Sequence, residues 1–181
     1  MIEDIGGRSR ELILVDGLRP VDVALVHREA LRVMRSGIDT AHLDAYSDDP
    51  WPEPVLPSYE RALSLGRGRA ADGTRSPRDD SGMGIDIDVR DDAQFEVLVD
   101  LAPYTINAEG RRGDRLVFSA SDTGTSLWIA VTAVQETVLL ARLDTLGIPR
   151  TVLATRVPGA PGRWAVLKKR FRRGPRGDGA R

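Results

Sequence analysis

The sequence contains no cysteine. Disulfides, Cys-ligated zinc, iron–sulfur clusters and thiol nucleophiles are therefore excluded. Histidine is nearly as scarce, with only His27 and His42. A His-rich metal centre is out of reach, although a single imidazole can still serve as a general base. Lysine is confined to Lys168 and Lys169, and every other basic residue is arginine. Arginine recognises carboxylate and phosphate in a planar, bidentate way that lysine does not, but a codon bias of the source genome is the simpler and preferred account of the skew. Long apolar runs are also missing. The first such run, Leu12 to Val15, ends at Asp16. A secretory core needs roughly 7–15 apolar residues and a membrane span about 20. The expectation is a cytoplasmic protein without a membrane segment.

Catalytic signatures are absent too. There is no Gly-x-Ser-x-Gly elbow and no His-Glu-x-x-His. Gly66-Arg-Gly-Arg-Ala70 lacks the Gly-Lys-Ser/Thr of a phosphate-binding loop.

What is present is an uneven distribution of charge. The formal net charge of −1 points to no partner. From Arg163 onward, however, eight basic residues face a single acid, Asp178. Asp44 to Glu60 holds five acids (Asp44, Asp48, Asp49, Glu53 and Glu60) and no Lys or Arg. Opposite blocks of this kind carry more information than the total, and the two blocks could associate with each other.

Hydrophobic periodicity organises the chain. Glu11–Val15 reads as a short buried strand closed by Asp16-Gly17. A helix follows over Pro20–Ser36, with Pro at its first turn, an apolar face of Val23, Val26, Ala30 and Val33, and Gly37 at its end. His27 falls off that face and reads as a surface or boundary residue. Ala30 to Leu43 has the rhythm of the first two-thirds of a helix-turn-helix, but the chain then turns acidic and proline-broken, which DNA would repel.

Pro50, Pro52, Pro54 and Pro57 forbid a regular helix or inner strand there. The stretch reads as extended, followed by a short helix at Ser58–Leu65 and a Gly/Arg/Asp/Ser-rich linker over 66–84. Ile85, Ile87 and Val89 alternate with acids as a half-buried strand. Phe95, Val97, Val99 and Leu101 alternate in the same way, and β-branched content favours a second strand over the rival helix at 91–102. Glu109–Asp114 reads as a turn-rich connection. Leu116–Ala120 and Leu127–Val131 flank Asp122-Thr-Gly-Thr125, a hairpin signal. Thr132 and Gln135 form a capping-box pair opening a helix to Leu146, stopped by Gly147 and Pro149. Thr151–Val157 and Arg163–Leu167 flank Pro158–Gly162 as a second hairpin.

These elements predict an α+β fold, with an antiparallel sheet of about five or six strands and two helices packed on one face. The chain divides into a strand–helix unit at 1–43, an acidic proline-rich segment and linker at 44–84, a sheet with its capped helix at 85–167 that joins 1–43 in one domain, and a basic, disordered tail at 168–181.

Three groups of residues are candidates for function. Tyr46, Trp51 and Tyr59 stand among the prolines, where a stiff backbone lowers the ordering cost of an interface anchor; their alternative use is to fill the domain's own core. Lys168, Lys169, Arg170, Arg172 and Arg173 can bind phosphates by counterion release, with Phe171 stacking on a base, or can simply solubilise the terminus. Asp86 and Asp88 project from one strand face and could hold a divalent cation through hard oxygens, but nothing else in the sequence completes such a site. With no catalytic motif and no cofactor loop, the sequence favours a non-enzymatic accessory protein of the bacterial cytoplasm. Such a protein would hold a protein partner, as a regulator or inhibitor does, on its sheet face or its 44–60 segment. A nucleic-acid-associated protein using the tail is the alternative, and a metal-dependent enzyme centred on Asp86 and Asp88 the more remote one.

Overall fold

The computed structural model describes residues 9–46, 50–71 and 80–156. Its strands are β1 (Arg10–Leu14), β2 (Thr40–Asp44), β3 (Ile85–Ile87), β4 (Asn107–Arg112), β5 (Arg115–Ser121), β6 (Ser126–Val131) and β7 (Leu153–Thr155). They form one sheet in the order β3-β2-β4-β5-β6-β1-β7, with every neighbouring pair antiparallel. The described helices are α1 (Pro20–Met34), α2 (Leu56–Ala71), α3 (Asp92–Leu101) and α4 (Ala133–Thr145). The fold is α+β as the pattern predicts, with seven strands and four helices among the described residues rather than five or six strands and two helices.

The helices form a single layer on one face. α1 packs between α3 and α4, and α2 lies beside α3 and the edge strand β3. The core sits between this layer and the sheet. Leu12, Leu43, Ile85, Phe118 and Ile129 enter it from the strands, and Leu31, Met34, Phe95, Leu98 and Leu139 from the helices. Polar contacts tie the layer together. Glu29 on α1 accepts from Arg142 on α4 at 3.0 Å. Arg35, just past α1, donates to the Val89 carbonyl at 2.9 Å and to Asp92 at 2.6 Å, and its guanidinium lies 4.4 Å from the Phe95 ring centroid.

The best-signalled elements form as their residues dictate. The Thr132 hydroxyl accepts from the Gln135 N–H at 3.2 Å while the Gln135 side chain accepts from the Thr132 N–H at 3.0 Å, a complete capping box for α4. The β5–β6 hairpin turns through Asp122, Thr123 and Gly124, all at positive φ. A Cβ on Gly124 would stand 2.0 Å from the Pro103 carbonyl oxygen, so the turn docks against the loop after α3 only with glycine there.

Several expectations are corrected. Residues 95–101 belong to a helix, not a strand. Asp91 caps α3, its carboxylate accepting from the Gln94 N–H at 3.0 Å. Buried on several sides at once, α3 hides Phe95, Val97, Leu98, Val99 and Leu101, so its sequence shows no solvated helical stripe. Thr40–Asp44 is a strand, which removes the second helix that a helix-turn-helix requires. The connection read at Glu109–Asp114 is mostly strand β4, in which only Ala108 and Gly110 face the core. Ile38 fills the space above Gly110, where a Cβ would meet its side chain at 3.0 Å. A strand with two such small inward residues leaves little hydrophobic trace. The linker expected from residue 66 is helical as far as Ala71. His27 is fully buried rather than at a boundary. The second expected hairpin, over 151–167, falls largely on 157–167, outside the described residues, but Leu153–Thr155 does form a strand, paired with β1.

Candidate functional site: the open face of the sheet

The second face of the sheet carries none of the described helices. Antiparallel register lines up one row of side chains across it. From one edge to the other, Asp86 stands opposite His42, His42 opposite Glu109, Glu109 opposite Ser119, Ser119 opposite Trp128, Trp128 opposite Ile13, and Ile13 opposite Ala154. Residues two apart on a strand share a face, so Thr40, Asp44, Asn107, Ser121, Ser126, Glu11 and Arg156 flank this row. A bulge between Gly110 and Arg111 breaks the register on β4.

The two ends of the row differ in chemistry. At the β3-β2-β4 end a hollow of about 440 Å³ is lined by Thr40, His42, Asp86, Asn107, Glu109 and Arg111. His42 Nδ1 lies 3.4 Å from Asp86 Oδ1 and its Nε2 lies 3.3 Å from Asp44 Oδ1. Glu109 pairs with Arg111 at 3.0 Å. Asp44 is a structural joint. Its carboxylate accepts from the Gly84 N–H at 2.7 Å and from Asn107 Nδ2 at 3.2 Å, and its carbonyl accepts from the Thr105 hydroxyl. A general base needs a nitrogen lone pair aimed at the proton it removes. Each ring nitrogen of His42 lies near a carboxylate, Nδ1 by Asp86 and Nε2 by Asp44, and a neutral ring donates through one of them and keeps a lone pair on the other.

The β6-β1-β7 end is apolar and aromatic. Ile13 is 36% exposed. Trp128 is half-buried, and its indole N–H donates to Glu11 Oε2 at 3.2 Å. Arg156 donates to the same carboxylate oxygen at 3.0 Å. The Trp128 ring is thus held in place with its polar atom satisfied. Between the two ends Ser119, Ser121 and Ser126 form a narrow strip of small hydroxyls.

The residues singled out from sequence are placed as follows. Trp51 and Tyr59 stack on each other with centroids 5.0 Å apart and pack against the core. The Trp51 indole N–H donates to the Tyr46 carbonyl at 2.9 Å, while the Tyr46 side chain is 40% exposed. Asp86 lies in the row on the open face. Asp88 lies beyond the end of β3, its carboxylate accepting from the Arg90 N–H at 2.9 Å, which closes a local turn. Among the described residues no group of three or more His, Asp or Glu stands together as a metal site. Lys168, Lys169, Arg170, Phe171, Arg172 and Arg173 lie outside the described residues. No described helix is long and apolar enough to cross a membrane. Sequence reasoning did not single out Ile13, His42, Glu109 or Trp128 as a group, because strands distant in sequence assemble the row. Comparison with protein-family models, curated proteins and solved structures gives no match.

Proposed function

We propose that the protein is a non-enzymatic binding protein that holds a protein partner on the open face of its sheet, in the manner of a regulator or inhibitor. The observation that carries this reading is the row from Asp86 to Ala154, which joins a polar hollow to an aromatic anchor across seven strands. Trp and Tyr dominate interface energetics because they contribute large contact areas at low entropy cost. Trp128 fits that role, with its N–H already satisfied and its ring beside the exposed Ile13. The hollow supplies directional polar contacts through Glu109, Arg111 and His42, as the polar part of an interface does.

Site-specific photo-crosslinking in cells tests the proposal. A crosslinker at Ile13 or Ser119 should capture the same polypeptide, and one at Val134, which is 73% exposed on α4, should not. Trp128→Ala should lower the captured yield about tenfold, the loss of one anchor residue. Equal capture from Val134, or no polypeptide adduct from either sheet position, would overturn the reading.

A further inference from the structure

We draw no further inference here: the strongest candidate, the hollow at the edge of β3 lined by Asp39, Asp86 and Asp88 together with Ser64 of α2 and Gln94 of α3, is a cluster of acidic side chains that already accept hydrogen bonds from within the fold, Asp39 from the Gly113 N–H and Asp88 from the Arg90 N–H, and no second feature among the described residues points to a ligand there.

Discussion

The two faces of one sheet follow different rules. On the covered face Leu12, Leu43, Ile85, Phe118 and Ile129 meet a layer of helices and disappear from solvent. On the open face the residues between them in sequence are Asp86, His42, Glu109, Ser119 and Trp128, and they meet one another along the register. Phe118 and Ser119 are adjacent in sequence and lie on opposite sides of this divide. The covered face holds the fold and the open face is free to vary, which is where binding chemistry can reside without a stability penalty.

The sharpest break between the faces is a pair of neighbouring substitutions. Phe118→Ala should cost about 3–5 kcal/mol, because a fully buried aromatic leaves a cavity that its neighbours cannot close. Ser119→Ala should change stability by about 0.5 kcal/mol or less, as surface positions do. Urea unfolding of both variants measures the contrast, and comparable losses would erase it.

His27 offers a second test, from within the helix layer. Its Nδ1 hydrogen-bonds the Val23 carbonyl at 2.8 Å, and its Nε2 makes no hydrogen bond, although the Ser126 main chain lies close enough to favour the charged ring slightly. Burial dominates and lowers its pKa from 6.5 to about 4. Between those values the unfolded chain binds a proton that the folded chain refuses. Stability therefore falls as pH drops from 6.5 towards 4, by about 3 kcal/mol over the interval. His27→Leu should remove that part of the pH dependence, read as a flatter plot of unfolding free energy against pH. An unchanged slope would place the titration elsewhere.

A smaller effect is expected at the joint between strand and helix layer. Thr132→Ala removes one half of the capping box of α4 and should cost about 1 kcal/mol. The loss should appear as a lower unfolding midpoint with an unchanged denaturant slope.

Much of the covered face was legible in the sequence, and little of the open one. The β5–β6 hairpin and α4 announce themselves through Asp122-Thr-Gly-Thr125 and through Thr132, Gln135 and Gly147, because turn and cap chemistry is local. The sequence misleads at α3. Its buried residues occupy so much of the helix surface that Phe95, Val97, Val99 and Leu101 mimic strand alternation, and the cap at Asp91 was the better signal. β4 escaped notice because a strand under Ile38 needs only Ala108 and Gly110. The row on the open face could not be read at all. Asp86 and His42, or Trp128 and Ile13, become neighbours only through pairings across long stretches of chain.

The placement of β1 bears on how the protein is born. β1 is among the first described residues, yet in the sheet it stands between β6 and β7, near the other end of the described chain. During synthesis its backbone donors and acceptors have no sheet partner until Ser126–Val131 has left the ribosome. At ~5–20 residues per second that wait is on the order of ten seconds. Through it Leu12-Ile-Leu-Val15 is an apolar segment without its native strand partners, the kind of segment that chaperones protect. The late-arriving hairpin therefore does more than extend the sheet: its arrival ends the nascent chain's vulnerability.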